Sequence, residues 1–274
     1  MEANIRKTAI AGSWYPGNPE ILTSDIRKYI DNAETNPSDK KPAVIVCPHA
    51  GYMYSGPVAG YAYKAVSGHI YKTVVVISPS HKEFFPFVSV WAEGAFDTPL
   101  GRIDIDTELC SSIMNASRYV RNEKSPHVAE HALEIQLPFL KHVLGDFRLC
   151  PLIMGEQSLP MCRELSEALA KCITNPEETL VVASSDLSHF HHVERAHIMD
   201  RNVAKLIEAY DIEGLSDVLD SGRSEACGGG PIMAAMLYAK AKGRTDVKIL
   251  KYATSADITG DRSSVVGYLS AVIS

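Results

Sequence analysis

Four apolar runs punctuate the chain: AVIVC (43–47), TVVVIS (73–78), FRLCPLIM (147–154) and TLVVASS (179–185). They are continuous rather than alternating, rich in β-branched residues and bounded by turn formers, as expected of strands covered on both faces. Helical spacing fills the intervals: SGPVAGYAYKAVSG (55–68), TELCSSIMNAS (107–117), EHALEIQLPFLKHVL (130–144), LPMCRELSEALAKCI (159–173), VERAHIMDRNVAKLIEAY (193–210) and GPIMAAMLYAKAKG (230–243). Strand and helix patterns in alternation predict an α/β protein, a three-layer αβα sandwich with a mixed, largely parallel central sheet.

Two stretches depart from that rhythm. FVSVWAEGAFDTPLGRIDID (87–106) predicts a meander of two or three strands turning at Glu93-Gly94 and Pro99-Leu100-Gly101, and VKILKYATSAD (247–257) with SSVVGYLSAVI (263–273) predicts an antiparallel pair. NAETNPSDKKP (32–42) predicts a polar loop. No internal repeat and no linker-like run divides the chain, so one domain is expected over 1–274.

Composition narrows the function classes. The chain has 46% hydrophobic and 22% charged residues and a net charge of -6. That acidic balance, without any basic run, excludes an electrostatic track for nucleic acid. The N-terminal stretch lacks the apolar segment of a signal peptide and no stretch approaches a membrane span, so a cytoplasmic protein without membrane association is expected. Six scattered cysteines without a CxxC pair predict reduced thiols.

The chemistry collects at strand ends. AVIVC runs into Pro48-His49, TVVVIS into Pro79-Ser80-His81, and LVVASS into Asp186-Leu187-Ser188-His189. Open α/β sheets bind ligands outside the carboxyl ends of their parallel strands. If these strands are parallel neighbours, His49, His81 and His189 share one crevice. Two imidazoles, a third ligand and open positions suit Fe(II) or Zn(II). The third ligand could be Asp186, Glu130, Glu134 or Cys227. Cys227 stands before Gly228-Gly229-Gly230-Pro231, where a helix dipole would depress its thiol pKa, or it is an inert buried cysteine. CGGGP matches neither the P-loop nor GxGxxG. His127, His131 and Glu134 fall at i, i+4 and i+7, either facing the crevice with His131 as proton carrier or forming a solvated stripe. His191, His192 and His197 read as an exposed helix start. Trp14, in SWYPGNP (13–19), either covers a pocket or plugs the core edge.

Taken in order, AGSWYPG (11–17), PHAGYMYSG (48–56), SPSH (78–81), EHALEIQLPFL (130–140), SSDLSHF (184–190) and ACGGGPI (226–232) resemble the Memo family from about residue 8 to the C-terminus. The resemblance implies the fold of class III extradiol dioxygenases, which cleave catechol-type rings with non-haem Fe(II) and oxygen. It puts His49 and His81 at the two histidine ligands, Cys227 at the position of the glutamate ligand, and His189 at the acid/base histidine, as proton carrier or further ligand. On this reading Asp186 orients His189 and His131 assists proton transfer.

The resemblance implies a divalent metal, iron or copper, with zinc open if the chain is a hydrolase. It also implies a small diol, enediol or catechol-like substrate for an oxidoreductase. A non-catalytic redox or metal-binding module that docks a protein partner is the alternative. Prokaryotic members are associated with radical-SAM and AMMECR1-like partners.

Overall fold

The computed structural model describes residues 4–35 and 40–274. Strands in chain order are β1 (Ile5–Arg6), β2 (Val44–Cys47), β3 (Thr73–Pro79), β4 (Val88–Val90), β5 (Ala95–Thr98), β6 (Gly101–Asp104), β7 (Val120–Asn122), β8 (Arg148–Met154), β9 (Thr179–Ser184), β10 (His189–His191), β11 (Val247–Thr254) and β12 (Val265–Ile273). Helices are α1 (Pro19–Asp31), α2 (Tyr52–Val66), α3 (Thr107–Ala116), α4 (Ser125–Val128), α5 (His131–Glu134), α6 (Gln136–Leu144), α7 (Leu159–Cys172), α8 (Val193–Glu208), α9 (Ile212–Asp220), α10 (Gly229–Ala241) and α11 (Ala256–Thr259).

The main sheet has the order β10-β12-β2-β9-β3-β8-β4-β7, with β11 on β12. Its centre, β2-β9-β3-β8, is parallel throughout. Antiparallel pairings join β12 to β2 and β4 to β8 at the flanks. The four apolar runs are therefore the four central strands. They are buried on both sides because α1, α2, α5 and α6 pack together over one face and α3, α7, α8, α9 and α10 over the other. The fold is a three-layer αβα sandwich. Gly60 of α2 lies so close to Tyr29 of α1 that an added Cβ would stand 2.4 Å from the Tyr29 carbonyl oxygen; any side chain there would drive α1 and α2 apart.

The structure refines the expected outline. The 87–106 meander is divided: β4 joins the main sheet, whereas β5 and β6 form a small separate sheet with β1. The run IEGLSDVLD (212–220) folds as α9, capped by Asp211 accepting from the Gly214 N–H; helical patterning did not single it out. The loop predicted at 32–42 includes residues 36–39, which lie outside the described residues.

The helix expected over 130–144 is interrupted as α5 and α6, and Pro138 supplies the cause by removing the N–H that would bond to the Glu134 carbonyl. Upstream, Glu130 is extended (ψ 125) and separates α4 from α5. His127, His131 and Glu134 therefore do not share a helical face. His127 and Glu134 are buried, so the solvated-stripe reading falls as well.

His127 packs edge-on against Trp91 and Phe96, and neither ring nitrogen has a hydrogen-bond partner. Burial, with the Arg6 charge beside it, pushes this imidazole down to about 3. The unfolded chain takes a proton near pH 6.5 that the folded chain refuses. Stability from this residue is complete above pH 6.5 and is lost at roughly 1.4 kcal/mol per pH unit as pH falls toward 3. His127→Phe is expected to flatten that acid limb. Urea midpoints compared at pH 7 and pH 5 check this, and an unchanged difference between the two would exclude His127 as the cause.

Candidate metal centre

In the order β2-β9-β3 the three central strands are adjacent and parallel, so their carboxyl ends converge. His49 leaves β2, His81 leaves β3, and Asp186 and His189 follow β9. All four line one cavity of about 620 Å³, together with His131 from the start of α5 and Trp14 from the N-terminal loop. The strand-end reasoning thus locates the crevice, and Trp14 covers it rather than plugging the core: its ring lies 4.4 Å from that of His131.

The tightest grouping is His49, His81 and His131, one nitrogen from each lying within 4.8 Å of the others. His49 is 1% exposed, and a chain of hydrogen bonds fixes its tautomer. Ser184 Oγ donates its single proton to the Ala132 carbonyl at 2.6 Å and accepts from Gln136 Nε2 at 2.7 Å. It stands 3.0 Å from His49 Nδ1. With that proton committed, Ser184 can only accept from His49, so Nδ1 carries the hydrogen and Nε2 presents its lone pair to the cavity.

His81 and His131 are set by one carboxylate. Glu130, 1% exposed, accepts from the His81 backbone N–H at 2.6 Å and stands 2.9 Å from His81 Nδ1 and 3.3 Å from His131 Nδ1. It also caps α5 through the Ala132 N–H. Burial alone would raise its carboxyl; hydrogen bonds from His81 and Ala132 and the His81 charge outweigh burial and hold it low. An anionic Glu130 takes the Nδ1 hydrogens and leaves Nε2 of both rings free, the arrangement that orients metal-ligating histidines. Burial, then the neighbouring imidazoles, push His49 and His131 downward in pKa, toward the neutral form that ligates metals. The donor set fits a divalent ion. Glu130 is therefore a brace behind two histidines of the cluster, a role that adjacency to His131 in the sequence could not distinguish from that of a ligand.

The other predicted residues fall nearby but differently. Cys227 is outside the three-histidine group; its Sγ lies 3.0 Å from His49 Nε2 and accepts from the Asp186 N–H at 3.2 Å. The expected helix-dipole activation of this thiol is not what the structure gives. Cys227 precedes α10 by two residues, and burial, reinforced by the Asp186 charge, pushes its pKa up. Gly228 makes the approach possible, since a Cβ there would stand 2.1 Å from the Ser184 carbonyl oxygen.

Asp186 does not hydrogen-bond the His189 ring. It accepts from the His49 backbone N–H at 2.7 Å instead, and burial pushes its carboxyl up. The His189 ring makes no hydrogen bond among the described residues. It is aimed by a β-bulge at Phe190, the unpaired residue between His189 and His191, held at φ 62. Glu134, weighed above as a ligand, is buried away from the cluster in an ion pair with Arg6. His191 and His192 pair with Glu225 and Glu194 and His197 packs on Tyr252, so none joins the cavity wall. Among the described residues, no helix is long and apolar enough to cross a membrane.

The sequence model of the Memo-like protein family matches residues 6–272. A MEMO1 family protein of Methanothermobacter thermautotrophicus is 37% identical over 274 residues, covering 96% of this chain and 98% of the relative. Relatives with the same description from Nitrosopumilus maritimus and Methanopyrus kandleri are 35% and 36% identical, over 96% and 97% of this chain and 98% of each relative. Agreement in sequence across nearly the whole length makes this chain a member of the Memo-like protein family.

Proposed function

We propose that the chain is a metalloprotein of non-haem iron type that acts on a small vicinal diol, enediol or catechol-like substrate, with the metal held by Nε2 of His49, His81 and His131. The observation that carries this reading is the convergence of three imidazoles whose outer nitrogens are already committed to Ser184 and Glu130. When bound, a divalent iron would supply a Lewis-acidic, oxygen-reactive centre with positions left open by three protein ligands. The chain's own residues do the rest. Trp14 and Phe190 narrow the mouth and limit water, and a cavity of about 620 Å³ suits a single-ring ligand. His189, whose ring has no partner to satisfy, takes a proton from a substrate hydroxyl and returns it. Asp186 is a second proton store beside it.

A second reading has its own observation. The 3.0 Å contact between Cys227 Sγ and His49 Nε2 suits a softer His/His/Cys set, for copper or iron in a redox or partner-binding module. Metal content after chelator-controlled reconstitution separates the two. His131→Ala is expected to lower retained metal at least tenfold and Cys227→Ala by less, while His189→Ala keeps metal and abolishes diol-dependent oxygen uptake. Metal lost in Cys227→Ala but retained in His131→Ala would move the ion to the thiolate set and sink the three-histidine reading.

A further inference from the structure

The cavity wall formed by β12 carries a group that metal binding leaves unused. Tyr268 is 2% exposed and lines the cavity, near Asp186 and Tyr54. Its hydroxyl makes no hydrogen bond among the described residues, yet it is not sealed away as the Tyr238 hydroxyl is. Of the other buried phenols, Tyr52 donates to the Ile135 carbonyl, Tyr63 to Gln136 Oε1 and Tyr71 to the Pro42 carbonyl, whereas the Tyr238 hydroxyl is enclosed in the core without a partner. Buried polar groups are almost always satisfied, so a phenol left open toward a cavity is satisfied by what enters it.

Charge supplies the second observation. Among the described residues no lysine or arginine lines the cavity, while Asp186 and Asp261 do. Lys82, which acts on His131, lines a neighbouring depression, and Arg262 is engaged with Glu194. A ligand with a carboxylate or phosphate away from the histidines would lose hydration and meet acidic groups instead of a compensating cation.

We propose that Tyr268 is a specificity-determining residue: its hydroxyl donates a hydrogen bond to a distal oxygen of an uncharged, single-ring ligand whose vicinal oxygens face the histidine cluster. This rests on the metal reading above. The placement excludes anionic ring acids from the preferred class and favours neutral ketones, amides or esters of the same size.

Calorimetric titrations under anaerobic conditions, on Fe(II)-loaded and on metal-free protein, test it with three probes: catechol, 3,4-dihydroxyacetophenone and 3,4-dihydroxybenzoate. The wild type is expected to bind the ketone roughly tenfold more tightly than catechol, the gain typical of one good hydrogen bond, and more tightly than the benzoate. Tyr268→Phe, which removes one atom and leaves the ring packing, is expected to erase the ketone's advantage and leave catechol unchanged. Equal weakening of all three probes in Tyr268→Phe, or a wild-type preference for the benzoate, overturns the proposal. If the wild type takes up no iron, the metal reading fails by itself, and the metal-free series still decides Tyr268: no ketone advantage there overturns it.

Discussion

Glu134→Gln is expected to lower the unfolding free energy by about 3–5 kcal/mol, the usual cost of stranding one member of a buried ion pair. Arg6 and Glu134 are 2% and 0% exposed at their side chains. Glu134 also accepts from the Ala9 N–H at 2.8 Å, the Ile10 N–H at 3.1 Å and the Tyr15 hydroxyl at 2.6 Å. An amide cannot accept from all four donors, and it leaves the guanidinium charged without compensation. The measurement is a shift in the urea midpoint at unchanged slope. Removing the pair altogether, with Arg6→Met and Glu134→Leu, is expected to recover only part of the loss, because the Ala9 and Ile10 N–H groups would remain without acceptors. Full recovery in the double variant, or a loss below about 1 kcal/mol in Glu134→Gln, contradicts this assignment.

The second large effect concerns metal. Glu130→Ala is expected to weaken binding by about 10–100-fold or more, since the carboxylate holds two ligands and the range is typical of losing the partner behind one. The same carboxylate caps α5, so Glu130→Gln is the companion variant. It keeps the volume and an acceptor for the Ala132 N–H but offers the two Nδ1 hydrogens a poorer partner. Competition against a chelator, alongside thermal unfolding followed by circular dichroism, separates affinity from folding. Wild-type affinity in both variants would remove Glu130 from the site.

The sheet centre and the crevice were legible in the sequence because continuous apolar runs have few alternatives to strands covered on both sides, and three of the four lead into a histidine or aspartate. The roles behind the crevice were not legible. Ser184 is an ordinary serine near the end of an apolar run, and only the third dimension reveals that its proton is committed to Ala132. His131 and Glu134 sit three residues apart, yet one faces the cavity and the other Arg6, because α5 lasts a single turn before Pro138 disturbs the ladder. For Cys227 the sequence left a dipole-activated thiol and an inert buried one side by side; burial beside Asp186, which decides between them, has no local signal. Tyr268 carried no signal of its own in VVGYLSAVI beyond membership of a strand, and its place on the cavity wall emerges only with the fold.

The register of β9 has a consequence for quality control of the folded chain. Cys47 is matched to Ser184 and Ile77 to Ala183, so a slip of one residue would turn Ser184 to the opposite face of the sheet. The apolar side chains of β9 are alike enough that such a misassembled sheet could still look folded by circular dichroism. It would, however, leave His49 free to hold its proton on either nitrogen. Metal uptake by the proposed centre would thus be a more discriminating reporter of correct strand assembly than secondary-structure content, reading the alignment of the middle of the sheet from its rim.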